Sequence, residues 1–276
     1  MFSAVDLSPI LFPRGQQGVY VIFALYADDS ADQKQKRILT AGAILGFPEY
    51  ITNAETKWND RLAKDKIEYF RASDCENLDG PFNPFNRNMS LNSGRALAES
   101  AACDLVKILQ DSKAVISGAV SLLLDDYREV LNTYPSAQNV WGSDPSVVIY
   151  RSLVLATVSF IQKEWPESAG VPISCTFDEC LDWKKLEDAI KKLKQDDALC
   201  RQRVGYVGHA DDRTHAPVQM ADLIAYEARY KTLHHLGETS KERLNFQKLA
   251  NSHSMWFISM LDKNYFVETL RDMGLL

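Results

Sequence analysis

The run GVYVIFALYAD at 18–28 constrains the fold most: it is rich in Val, Ile, Phe and Tyr, has no breaker after Gly18, and ends on an acid. Such a run predicts a buried first strand. A polar turn, DSADQKQKR, leads to ILTAGAILGF at 38–47, a second strand whose small residues permit close packing. Pro48 stands where a helix begins, and 49–65 has helical periodicity. IEYFRAS at 67–73 has the look of a short strand. The Asn-, Gly- and Pro-rich stretch at 74–89 predicts a mobile surface loop, placed where it could cover a cleft.

Ser90 is a candidate N-cap for a helix ending near Asp111, and KAVISGAVSLLL at 113–124 reads as the next strand, with a helix, DDYREVLNTY, behind it. Asp144-Pro145 opens a mostly apolar helix reaching about Trp165. VPISCTFD at 171–178 and RQRVGYVGHA at 201–210 read as strands, with an amphipathic, Lys-rich helix at 181–195 between them. Pro217 starts a helix through about His235, and two helical segments close the chain. Strands separated by helices, with hairpin-like strands first, specify an α/β fold. No Pro/Gly/Ser-rich linker divides it, so one domain is expected over 1–276, with an N-terminal tail at 1–17 and a helical extension from about 238.

Lys and Arg number 31 against 37 Asp and Glu, a formal net charge of −6, which argues against coating duplex DNA through bulk positive charge. It leaves room for an acidic site that meets phosphate through metal ions. The five cysteines, Cys75, Cys103, Cys175, Cys180 and Cys200, are odd in number and form no CxxC, so neither a disulfide framework nor a zinc knuckle is expected. No basic segment followed by a long apolar run opens the chain, and the apolar stretch Val147 to Ile161 is interrupted by Arg151 and shorter than a span of about 20 residues. The expectation is a soluble, cytoplasmic protein of a reducing compartment, with no membrane partner; the oligomeric state is left open.

The acids are placed unusually. Asp28 and Asp29 end the first apolar strand, and Asp178 and Glu179 end VPISCTFDE. Charge beside an apolar core is costly unless paired or metal-bound, although turn or cap roles would also account for either pair. Parallel strands set their C-terminal ends along one rim, which would let the two pairs converge. In PVQMADLIAYEARY at 217–230, Gln219, Asp222 and Tyr226 share a helical face, and Ala221, Ala225 and Ala228 form a small-residue stripe suited to close approach on a sheet. Asp222 sits amid Met220, Leu223 and Ile224; a solvent-facing acid early on a helix is the plain alternative.

These segments, YADDS at 26–30, TFDE at 176–179 and QMADLIAY at 219–226, resemble the three signature segments of the domain of unknown function 3800 family, which read Y-x-D-E-S-G, an acidic strand end, and Q-x-A-D-x-x-A. Asp29 stands where that family commonly has Glu, and no Gly follows Ser30. The family is grouped with ribonuclease H-like folds, so the resemblance implies a ribonuclease H-like mixed sheet flanked by helices, with insertions. It further implies a phosphodiesterase acting on nucleic acid through two divalent ions, Mg2+ or Mn2+, with Asp28, Asp178 and Asp222 as the catalytic, metal-binding carboxylates. Hard oxygen ligands suit such ions, and two of them can clamp the attacking and leaving oxygens of an in-line displacement. For a fourth ligand Glu179 ranks first, ahead of Glu68 and Asp74.

Other polar features have plainer readings beside them. GHADDRTHAPVQ holds His209, Asp211, Asp212 and His215; His215 as a proton shuttle, or the cluster as a zinc or manganese site, competes with a solvated loop. His234-His235 suits a helix C-terminus. Lys184, Lys185, Lys191, Lys192 and Lys194 suit either phosphate contact or a solvated helix face, and Cys180 reads as a small buried hydrophobe. The rival class is a non-catalytic binding module that keeps the fold and part of the acidic patch. Convergence of Asp28, Asp178 and Asp222 to within about 5–6 Å would separate the two, since paired ions must share them.

Overall fold

The structure, a computed structural model, describes residues 22–31, 37–112, 115–168, 170–179, 182–251 and 256–276. One six-stranded sheet organises them: β1 (Phe23–Ala31), β2 (Ile38–Gly46), β3 (Val115–Leu123), β4 (Ile173–Asp178), β5 (Val204–Ala210) and β6 (Trp256–Leu261), in the order β5-β4-β1-β2-β3-β6. β1, β2 and β3 are antiparallel neighbours, while β4 and β5 continue β1 in parallel and β6 lies parallel to β3. This α/β mixed sheet flanked by helices is consistent with the ribonuclease H-like architecture that the resemblance implies. β1 lies inside the sheet, beside β2, as its breaker-free apolar run predicts.

Strand alternation sorts the core into two layers. Phe23, Leu25 and Ala27 of β1 and Ile173, Cys175 and Phe177 of β4 face one layer. That layer is built by α4 (Leu124–Thr133), α5 (Pro135–Trp141), α6 (Pro145–Glu164), α7 (Trp183–Asp196), α8 (Ala198–Arg203) and α11 (Lys263–Asp272). Ala24 and Ile44 face the other, built by α1 (Pro48–Lys64), α2 (Ala72–Asn77), α3 (Leu91–Asp111), α9 (Ala216–His235) and α10 (Leu244–Ala250). Helix starts follow the local chemistry: Ser90 and Asp144 accept the backbone N–H of Ser93 and Ser146, and Pro145 occupies the first turn of α6.

Helix α9 is the centre of the second layer. It packs on β1 and β2, and every residue from Ala216 to Arg229 is buried. Gly42 of β2 makes this approach possible: a Cβ there would meet the Ala221 carbonyl oxygen at 2.7 Å and the Ala225 backbone. The alanine stripe read from the sequence is thus the surface on which helix and sheet touch. Beyond Gly42 the sheet face turns polar, since Ser30, Thr40 and Ser121 lie side by side in register, and Ser121 links Thr40 (2.8 Å) to Thr232 (2.9 Å).

Four expectations need correction. IEYFRAS is not a strand; Ile67–Arg71 is irregular and α2 begins at Ala72, because Phe70 and Ala72 donate their N–H groups to α9 side chains instead of to a ladder. The 74–89 stretch is not wholly loop: it contains most of α2 and a 3-10 turn, Gly80–Phe82, and apolar side chains anchor it, with Phe82 fully buried edge-on to Phe70. The C-terminal segment is not only helical, since β6 extends the sheet beside β3. The apolar stretch around Val147–Ile161 belongs to a helix of 20 residues, long and apolar enough by length and composition to cross a membrane; here its Val148, Ile149, Leu153 and Ile161 pack into the core. The tail at 1–17 and Cys180 lie outside the described residues.

Candidate active site

Asp28 and Asp178 are brought together by register. β1 and β4 run parallel with Ala27 opposite Phe177, so the next residues, Asp28 and Asp178, stand side by side at the strand ends. Both share the face of Ala24 and Tyr26, toward α9, where Asp222 projects from the second turn of that helix. The same alternation turns Asp29 to the opposite layer. Tyr150 of α6 donates its hydroxyl to Asp29 Oδ1 (2.7 Å), whereas Glu179 is exposed. Glu179 lies one residue past the end of β4, next to Asp178, with its backbone N–H on the Ala210 carbonyl (3.1 Å). Glu68 is exposed, and Asp74 is half-buried beside Tyr69 and Arg71.

Asp28 feels the charge of both other aspartates. Asp28 is 7% exposed and Asp222 8%. Burial first, then the Asp222 and Asp178 charges, raise the Asp28 carboxyl well above the usual carboxylate range. Burial lifts Asp222 to about 7 against the opposing hydrogen bond from Ala72, with Asp212 and Asp178 adding to the rise. Asp178 is pushed up to about 6, by burial and then by Asp212. Full ionisation is therefore costly here, and without a cation the cluster keeps protons that exposed aspartates would have shed.

The polar frame around the cluster includes residues that sequence reasoning passed over. Arg71 forms a two-pronged ion pair with Asp212, through Nε to Oδ2 and through Nη2 to Oδ1 (2.9 Å). Asp212, 3% exposed, is no solvated loop residue; its backbone N–H reaches Asp178 Oδ1 (3.3 Å). Gln219 accepts from Trp58 Nε1 (3.0 Å) and the Phe70 N–H (3.1 Å) and donates to the Asp212 carbonyl (2.7 Å). Asp222 Oδ2 accepts the Ala72 N–H (2.6 Å) at the first turn of α2. The Q-x-x-D pair of α9 thus clamps segment 70–72, and the clamp presents Arg71 to Asp212. Tyr226, on the same helix face, packs at a tilt against Tyr230, ring centroids 5.1 Å apart.

His215 precedes α9, half-buried against Tyr26 at 5.9 Å, and burial lowers its pKa. His209 and Asp211 are exposed, His209 lying against Trp183. His234 and His235 occupy the last turn of α9. On α7, Lys184, Lys185 and Lys191 pair with Glu187, Asp188 and Asp182 of their own segment, as a solvated face does.

The donor set is of the kind a hard divalent cation takes: oxygens only, from crowded and under-neutralised carboxylates. Among the described residues, however, no three His, Cys, Asp or Glu side chains are arranged as a ready metal cage. Asp222 is engaged by Ala72, and Asp178 by the Asp212 amide. The residues fit such an ion in chemistry, and their carboxylates would have to turn toward it.

No protein-family model and no curated protein matches the chain. Among solved structures it is similar to a chain in the structure of the PCNA:RNase HII complex from Archaeoglobus fulgidus, at 11% identity and a TM-score of 0.36, over 92% of this chain and 91% of that one. At that score the likeness says nothing of site or activity. Fold and site together define an α/β protein whose mixed sheet carries a largely buried acidic cluster at the C-terminal ends of two parallel strands, beneath a central helix.

Proposed function

We propose that this protein is a divalent-metal-dependent phosphodiesterase, nuclease-like, that acts on nucleic acid through Asp28, Asp178 and Asp222. The observation that carries the reading is crowding: the buried Asp28 and Asp222 and the half-buried Asp178, from two adjacent strand ends and a buried helix, all have raised pKa values, Asp28 under the charges of the other two. Among the described residues the cation that reaches Asp178 and Asp222 is Arg71, which Asp212 already engages. The three signature-like segments that bring them there support the same reading. Asp28, Asp178 and Asp222 would hold Mg2+ or Mn2+; bound, such ions supply Lewis-acid stabilisation of the charge that develops on phosphate oxygens. The chain's own residues bury the site and orient the carboxylates. Gln219 and Asp222 hold segment 70–72 over it, and Arg71 keeps Asp212 beside Asp178.

The test is metal binding first and cleavage second. Mn2+ should raise the melting temperature of the wild-type protein by mass action, and Asp28→Asn or Asp178→Asn should remove most of that rise. Cleavage of single-stranded or duplex oligonucleotides should depend on Mn2+ or Mg2+ and vanish in the same variants. A wild-type melt unmoved by millimolar Mn2+ sinks the reading. A second reading, a non-catalytic module, is favoured by one observation: Asp222 and Asp178 already have backbone N–H partners. It predicts nucleic-acid binding that is indifferent to metal, with no cleavage.

A further inference from the structure

Between α9 and β1, past the carboxylates, lies a buried cation that the site described above does not use. Arg229 is 8% exposed. Its Nε donates to Ser30 Oγ (3.1 Å), and its guanidinium lies over the rings of Tyr226 (5.0 Å) and Tyr230 (4.8 Å). Among the described residues no carboxylate pairs with it. Arg243 makes the contrast plain. It stacks on the same two rings, at 5.3 and 4.6 Å, yet it is neutralised by Glu227 and Glu76. A guanidinium removed from water without a counter-ion is costly, and hydroxyl dipoles and ring faces offset only part of that cost.

Its position follows from the two elements that build the acidic cluster. Ser30 is two residues beyond Asp28 on the same strand face, roughly 7 Å along the strand. Arg229 is seven residues beyond Asp222 on α9, two turns along the same helix face. The neighbouring groups on that face of the sheet, Thr40 and Ser121, and Thr232 of α9 are neutral hydroxyls. Carboxylates and cation therefore lie in file: first Asp28, Asp178 and Asp222, then Ser30 and Arg229.

We propose that Ser30 and Arg229 form a phosphate subsite that takes the phosphodiester next along the strand from the one held at the carboxylates. The proposal rests on the nuclease-like reading and adds a substrate contact to it. The guanidinium fork uses one donor on Ser30 and has others to offer, and its planar geometry matches phosphate oxygens. The Ser30 hydroxyl, accepting from Arg229, keeps its own O–H to donate to the same anion. A chain of net charge −6 has no bulk attraction for nucleic acid, so phosphate recognition has to be local. Among the described residues the buried arginines without a carboxylate partner are Arg203, held by Ser168 and Gln162, and Arg229, and it is Arg229 that shares its helix with Asp222 and its bonded strand with Asp28.

The experiment measures binding of a short fluorescent single-stranded oligonucleotide, as DNA and as RNA, across a salt series with Ca2+ in place of Mn2+. Arg229→Gln should weaken binding about tenfold and lower the slope of log K against log salt by about one. Arg229→Lys should keep the slope but lose part of the affinity, and Ser30→Ala should weaken binding at unchanged slope. All three should keep the wild-type Mn2+-induced rise in melting temperature. If Arg229→Gln does not fold, Arg229→Lys and Ser30→Ala carry the test. Wild-type affinity and slope in folded Arg229 and Ser30 variants overturn the proposal, leaving Arg229 as a tie between α9 and β1. Wild-type protein that takes Mn2+ but binds no oligonucleotide also overturns it. Absence of a Mn2+ shift together with Arg229-dependent oligonucleotide binding instead removes the metal reading and keeps the subsite.

Discussion

Asp222 has two duties that pull in different directions. Its Oδ2 holds the Ala72 N–H, while its charge sits against Asp28, Asp178 and Asp212. Asp222→Asn keeps an oxygen for Ala72 and removes the charge, so at pH 8 without metal this variant should melt no lower than wild type, and higher if repulsion dominates. Asp222→Ala loses both and should cost about 1–3 kcal/mol through the orphaned amide. Both should forfeit the Mn2+ response. Equal losses for Asn and Ala in metal-free melts would show that charge is not what strains the site. Gln219 is the other residue of the clamp, serving Trp58, Phe70 and Asp212 at once. Gln219→Leu keeps the volume but orphans two donors and an acceptor, so a loss of about 3 kcal/mol or more is expected in urea unfolding. A loss under about 1 kcal/mol would mean that water or a neighbour replaces the clamp.

At the scale of elements, the site depends on how closely α9 lies on β2. Gly42 is the contact point, and its missing side chain would fall on the backbone of α9 at Ala221 and Ala225, which has no rotamer to yield. Gly42→Ala must therefore push the helix outward. The expected cost is about 2 kcal/mol or more, and Asp222 moves with the helix, so the variant should lose Mn2+ response even under conditions where it stays folded. Circular dichroism with a Mn2+ titration separates the two effects. A variant of native stability and native metal response would show that α9 has room to spare.

For the whole molecule, the sum of these shifts sets a pH profile. Asp222 near 7 and Asp178 near 6 hold their protons more tightly when folded than the roughly 3.9 of an unfolded aspartate, and Asp28 shifts the same way. Their contribution is therefore complete below about pH 4 and is lost as pH climbs through 6 and 7, on the order of 4 kcal/mol for Asp222 alone. Asp29, Glu55, Asp74 and Glu227, raised chiefly by burial, act in the same sense, and His215, lowered by burial, works in the opposite one. In EDTA the protein should melt lower at pH 8 than at pH 5.5, and Mn2+ should close that gap. Asp222→Asn should flatten the profile. A metal-free melting temperature that rises from pH 5.5 to 8 would contradict the crowded-carboxylate account.

Local chemistry made much of this legible. The apolar runs, the Ser90 and Asp144 caps and the prolines at helix starts located most strands and helices, because backbone hydrogen bonding and side-chain periodicity are short-range. Asp28, Asp178 and Asp222 stood out as acids where acids are expensive. The parity of a strand even separates Asp28 from Asp29, since alternate side chains face opposite layers. What only the tertiary structure decided is which distant groups meet. Arg71 and Asp212 are 141 residues apart, and no local pattern marks one as the partner of the other. Segment 67–73 carried strand-like residues, yet Gln219 and Asp222 took its N–H groups before any strand did. A backbone hydrogen bond goes to whatever acceptor the packed neighbour offers, and that neighbour is chosen by the burial of the whole chain.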